Sequence, residues 1–143
     1  MPGVFAHVLK VHQWVYEHSG GFVGHRTLLG KPTLLLRTVG RKTGHLRTSA
    51  LVYGRDGEDY LIAASNGGSP RPPGWLANLK SQPACEIQIV RRRIRVVARA
   101  LYPGDPHYTR MFQIMDKVLD GQYTAYQKQT TRPTAVVVLS PLD

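Results

Sequence analysis

Short apolar runs recur at residues 33–39, 49–53, 59–65, 84–90, 94–101 and 134–139, with glycine-containing turns or short polar stretches between most of them. Each run has the length of a strand and is too short for a stable helix. In ACEIQIV, residues 84–90, the alternation puts Cys85, Ile87 and Ile89 on one face, as a half-buried strand requires. Five or six strands in hairpin order, with few helices among them, predict an antiparallel barrel-like sheet in an α+β fold. A chain of 143 residues has room for one such domain with a real core.

The helices are few. Residues 4–18 set Phe5, Val8, Leu9, His12, Val15 and Tyr16 at helical spacing, and residues 19–32 are a glycine-rich loop. Residues 1–30 therefore read as an amphipathic helix and loop, and residues 31–143 as the sheet domain. WLANLK, residues 75–80, supplies one or two helical turns. Asp105-Pro106 reads as an N-cap followed by proline in the first turn, and Tyr108, Met111, Phe112, Met115 and Leu119 then mark one helix face.

A net charge of +10 calls for an anionic partner: nucleic acid, anionic lipid or a small polyanionic ligand. Nucleic acid is disfavoured, because zinc-finger spacing, a basic heptad region and RNA-binding aromatic strands are all missing from the sequence. No run approaches the roughly 20 apolar residues that cross a bilayer. The single cysteine, Cys85, forbids an internal disulfide and fits a reducing compartment. The expected location is the cytoplasm, with the basic, aromatic N-terminal helix as a point of peripheral membrane contact. The six histidines show no paired spacing, so no metal site is expected.

Two apparent motifs fail. GHRTLLGK, residues 24–31, has the glycines of a phosphate loop one residue too far apart, and Pro32 stands where a hydroxyl should bind magnesium. AASNG, residues 63–67, puts Ser65 at a strand end but runs into GGSPRPPG, which cannot begin a helix at once as a nucleophile elbow must.

Three features survive. GRKTGHLRTS, residues 40–49, offers cations and backbone donors to a phosphate or carboxylate. ASNGG followed by PPGWLANLK brings a hydroxyl and bare backbone against a flat ligand, with Trp75 as a wall. QYTAYQ places Tyr123 and Tyr126 on one side of a helical turn. Taken one at a time, these read as surface charge, a tight turn and core tyrosines.

Together and in this order, the three features resemble the deazaflavin-dependent nitroreductase family, whose members use coenzyme F420. The resemblance runs over residues 33–143 and is strongest in LLLRTVGRKTGHLRTSALVYGRDGEDYLIAAS. It implies a split β-barrel of the flavin-reductase type with the deazaflavin in a groove across it. Carried over, Arg41, Lys42, Thr43 and Arg47 hold the phosphate and polyglutamate tail. Ser49, Ala50 and Leu51 line the ring by backbone contacts, and Ser65, Asn66, Gly67 and Gly68 border the ring and ribityl chain. Pro73, Trp75 and Asn78 form the wall, while Thr48 and Ala64 complete the cofactor contacts. Tyr123 and Tyr126 face the substrate, either one a proton donor, and Ser65 polarises the ring.

The substrate side departs from the nitroreductase pattern. Val52 and Asp120 stand where that pattern has tyrosines, and Asn66 where it has lysine. The resemblance therefore implies an F420H2-dependent oxidoreductase that passes hydride to a small organic acceptor, with a quinone or an enone as plausible as a nitro compound. Two rivals stay open: an FMN-binding oxidoreductase or carrier on the same barrel, and a non-enzymatic basic module for anionic lipid or nucleic acid. Oligomeric state is not legible.

Overall fold

The computed structural model describes residues 30–142. The expected N-terminal helix and the rejected phosphate-loop motif lie outside the described residues, apart from Gly30 and Lys31 of the latter. Seven strands form one antiparallel sheet: β1 (Thr33–Val39), β2 (Leu46–Val52), β3 (Gly54–Asp56), β4 (Asp59–Ala63), β5 (Ala84–Ile89), β6 (Arg92–Leu101) and β7 (Val136–Pro141). Three helices accompany it: α1 (Gly74–Ser81), α2 (Tyr108–Val118) and α3 (Gln122–Gln127).

The strand order is β2-β1-β5-β6-β7-β4-β3, so β2 and β3 are the two edges of the sheet among the described residues. They are also consecutive in sequence, with Tyr53 alone between them. A flat sheet of this order would hold its edges about 29 Å apart, at about 4.8 Å per strand. A single connecting residue spans only about 7 Å from one neighbouring Cα to the other. The sheet must therefore curl until its edges meet at this corner, and the result is the half-barrel expected from the strand pattern. The Tyr53 backbone N–H donates to the Pro32 carbonyl at 3.1 Å and ties the corner to the start of β1.

Over part of the curl both faces are covered, which explains why several runs are continuously apolar instead of alternating. Inside, Leu34, Leu36, Tyr60, Ile62, Ile87 and Val137 pack around Trp75, Leu76 and Leu79 of α1. Outside, Leu61, Leu101, Val136 and Val138 pack on Met111 and Met115 of α2 and Tyr123 of α3. In VVVL of β7, successive residues thus go alternately to the barrel interior and to the helices. Each fully buried side chain of this size contributes about 1.5–3 kcal/mol. Cys85 lies among the interior residues, and burial pushes its thiol up to about 11, so it is a core residue.

Strand β2 begins at Leu46 instead of Ser49, because Leu46, Arg47 and Thr48 pair with Val39, Thr38 and Arg37 of β1, and three further details differ from the sequence expectation. GRDGED contains the short strand β3, because the turn needs only Gly57 and Glu58 between Asp56 and Asp59. Arg92 and Arg93 belong to β6, because the β5–β6 hairpin turns on Val90 and Arg91 alone. Helix α2 begins at Tyr108 instead of at Pro106, because the Asp105 carboxylate accepts from the His107 N–H at 2.9 Å and stabilises a separate turn ahead of it.

Candidate active site

The antiparallel register sends β1, β4 and β6 toward the same end of the sheet. The loop after β1, the turn after β4 and helix α1 before β5 therefore gather at one end. These are the segments that carry most of the sequence-predicted cofactor residues.

Residues 40–45 form a tight connection into β2. The Gly40 N–H donates to the His45 carbonyl at 2.7 Å, and the Gly44 N–H to the Gly40 carbonyl at 2.7 Å. A Cβ at Gly40 would lie 2.9 Å from Thr43 Oγ1 and 3.2 Å from the His45 carbonyl, so a side chain there would crowd the loop. Asn78 of α1 anchors this loop from below and is itself buried. Its Oδ1 accepts from the Arg41 backbone N–H at 3.2 Å and from the Arg41 guanidinium at 3.1 Å. Its Nδ2 donates to the buried Thr38 hydroxyl at 3.2 Å.

Beside the anchored loop lies a cavity of about 650 Å³, lined by Arg41, Lys42, Thr43, Arg47, Trp75 and Asn78 among others. Leu46, Arg47, Thr48 and Ser49 line it consecutively. Successive strand residues face opposite sides, so four in a row can border one cavity only along the strand's edge. The cavity thus runs along the edge of β2 that has no strand beside it among the described residues. Arg41, Lys42 and Arg47 bring three cations, and none of them has an ion-pair partner among the described residues. A basic pocket with Trp75 in its lining and strand backbone along one side fits a ligand with a flat ring and an anionic tail.

The other predicted residues fall into two groups. Ala50 and Leu51 continue β2 beyond the cavity, and Pro73 precedes α1. Ala64, Ser65, Asn66, Gly67 and Gly68 form the turn after β4 and do not line the cavity. Ala64 packs in the interior with Trp75, which joins the turn to the cavity wall through the core. Gly68 has φ +82°, and a Cβ there would lie 2.8 Å from the Tyr126 carbonyl, so the turn packs directly on α3. Tyr126 is half-buried, whereas Tyr123 is buried in the outer core cluster with its ring centroid 6.3 Å away. Burial, then the neighbouring Tyr126 and Asp116, push the Tyr123 phenol well above its ordinary pKa. Of the departures, Val52 is buried, Asp120 pairs with Lys31 at 2.9 Å, and Asn66 donates to the Arg71 carbonyl.

Sequence reasoning missed Arg132. Its guanidinium donates to the carbonyls of Ala64, Ser65 and Ser69, each at 2.9 Å, and so holds the whole turn after β4. Its Nε is buried with no hydrogen-bond partner among the described residues. An arginine before a proline carries no sequence signal for carbonyls more than sixty residues away.

The family model for F420H(2)-dependent quinone reductases matches residues 8–141. An F420H(2)-dependent quinone reductase of Mycobacterium tuberculosis (strain H37Rv) is 46% identical over 133 residues, covering 93% of this chain and 89% of the relative. Among solved structures, an F420-H2 dependent reductase superposes with a TM-score of 0.67 at 27% identity, over 76% of this chain and 94% of that one. A pyridoxamine 5'-phosphate oxidase-related FMN-binding protein from Nostoc punctiforme shares the fold at a TM-score of 0.57 and 16% identity, over 98% and 79% of the two chains. The half-barrel, the basic edge cavity and these likenesses agree: the chain belongs to the F420H(2)-dependent quinone reductase family, split-barrel oxidoreductases that use coenzyme F420.

Proposed function

We propose that this protein passes hydride from reduced F420 to a quinone, and that the cavity along β2 holds the cofactor's anionic tail. The observation that carries the tail assignment is the set Arg41, Lys42 and Arg47 around one cavity with no carboxylate pairing them among the described residues. Bound F420 supplies a hydride from a ring carbon, two electrons in one step. The protein's part is positioning and proton supply. The edge backbone at Ser49, Ala50 and Leu51 and the ring of Trp75 orient the flat portion, and the turn at Ser65 to Gly68 closes its other border.

A quinone that accepts hydride at one carbonyl becomes a hydroquinone anion, and one proton completes the reduction. Tyr126 is the residue we assign to give that proton, with water restoring the phenol afterwards. Two things support it over Tyr123: Tyr126 is the less buried of the pair, and its backbone packs on the Gly68 turn. The choice of a quinone over a bicyclic nitro compound is supported by the family and by residues 52 and 120. Neither Val52 nor the Lys31-paired Asp120 can offer the phenol wall of the nitroreductase pattern.

The test is Arg41→Ala combined with Lys42→Ala, titrated with F420 and, in parallel, with FMN. Each charge-assisted contact is worth about 1.5–3 kcal/mol, so F420 affinity should fall on the order of a hundredfold or more. Rising salt should weaken the parent in the same direction. An unchanged affinity would reduce the loop to solvated surface, and tighter binding of FMN than of F420 would give the cavity to a flavin.

A further inference from the structure

The +10 charge is not exhausted by the cofactor cavity. Arg91, Arg92, Arg93, Arg95 and Arg99 are all exposed, the first two at or beside the tip of the β5–β6 hairpin and the others down the outer face of β6. None of them lines the cavity. The pairing register puts Arg93, Arg95, Val97 and Arg99 on one face, with Ser140 opposite Val97. Leu142 follows β7 and donates its N–H to the Arg95 carbonyl at 3.0 Å, which sets it beside this face.

Among the described residues, two carboxylates pair with Arg93 and Arg99 of this set. Glu86 lies 3.8 Å from Arg93 but is shared with Arg37, and Asp105 lies 3.7 Å from Arg99. Arg92 and Arg95 have no ion pair among the described residues. The described residues leave three large hydrophobic side chains exposed: Leu46, at the cavity, and Val97 and Leu142, at 39% and 50% exposure, both here among the arginines.

We propose that this arginine face docks on an anionic phospholipid bilayer. The arginines meet the negative headgroups, while Val97 and Leu142 enter the headgroup–acyl boundary. Nucleic acid offers the same charge, but among the described residues the face has no aromatic ring on which a base could stack, and the exposed aliphatic side chains gain nothing from phosphodiester. Docking would bring the enzyme to the phase in which apolar quinones dissolve. That consequence rests on the proposed acceptor, whereas the docking itself does not.

The experiment is flotation of the full chain with vesicles of phosphatidylcholine alone and of phosphatidylcholine mixed with phosphatidylglycerol, at low and raised salt. The comparison protein is Arg93→Glu with Arg95→Glu, and turnover of a water-soluble quinone serves as its folding control. Each basic residue near an anionic leaflet is worth about fivefold in partitioning, so removing two should cost about twenty-five-fold and reversing them more. Val97→Ser should weaken binding without changing its salt dependence. If the double variant does not fold, Arg93→Gln and Arg95→Gln singly should each cost about fivefold. Equal binding to the two vesicle types, or full binding by the variants, would overturn the proposal. So would a preference for duplex DNA over vesicles that the arginine changes abolish.

Discussion

Replacing Asn78 by alanine and by aspartate separates two contributions that this side chain makes at once. Alanine removes all three hydrogen bonds, two to Arg41 and one to Thr38. The Thr38 hydroxyl, itself buried, then has no amide to receive from. At about 1 kcal/mol per lost bond, with a further penalty for the stranded hydroxyl, the loss is about 2–4 kcal/mol. For a domain of this length that is a fall in Tm of about 6–12 °C. Cofactor affinity should drop only moderately, because the loop keeps its charges and loses its anchor. Aspartate keeps an acceptor for both Arg41 contacts, and the Thr38 hydroxyl can turn to donate to it, so more of the stability survives. It also sets a negative charge on the cavity wall. At an effective dielectric near 20, a unit charge about 7 Å away interacts by about 2 kcal/mol, a factor of about thirty in affinity. The two measurements should therefore rank the variants in opposite orders. Differential scanning fluorimetry should give parent, then Asn78→Asp, then Asn78→Ala; F420 titration should give parent, then Asn78→Ala, then Asn78→Asp. A folded Asn78→Asp protein that binds F420 as well as Asn78→Ala would refute the anionic-tail assignment.

Three further outcomes are expected. Gly68→Ala places a Cβ at φ +82° and 2.8 Å from the Tyr126 carbonyl, and should cost about 1–3 kcal/mol and displace α3; Gly57→Ala, at φ +60° in open space, should spare turnover, and equal kcat losses in the two would count against a turn–α3 coupling. Arg132→Gln gives up charge-assisted bonds to three carbonyls and should destabilise by about 3 kcal/mol or more in urea, with Arg132→Lys recovering part of it; no change in the urea midpoint would show that the turn holds itself. Tyr126→Phe should lower kcat with a quinone such as menadione while leaving F420 affinity nearly unchanged, and the parent should reduce menadione faster than a bicyclic nitroimidazole; full activity of the variant, or equal rates on the two substrates, would remove the corresponding assignment.

The period-two pattern of residues 84–90 and the length of the apolar runs were enough to define the larger strands, because a strand buried on one or both faces writes its environment into its own side chains. The basic loop, the glycines of the turn after β4 and the i,i+3 tyrosines were legible for a similar reason, since each is a local pattern tied to one segment. The sequence also carried the charge, and with it the class of partner. The strand pattern pointed to a barrel-like sheet but not to where that sheet closes. That follows from which strands pair, and from the single residue between the two edges. Nor did the sequence distinguish Tyr123 from Tyr126: the two have the same local spacing, and only the packing of α3 on β4 and β7 buries one phenol more than the other. Arg132 and the double contact of Asn78 with Arg41 were invisible for the same reason. Their partners lie tens of residues away, and a hydrogen bond across the fold depends on where the tertiary structure brings two segments together, which no local pattern records.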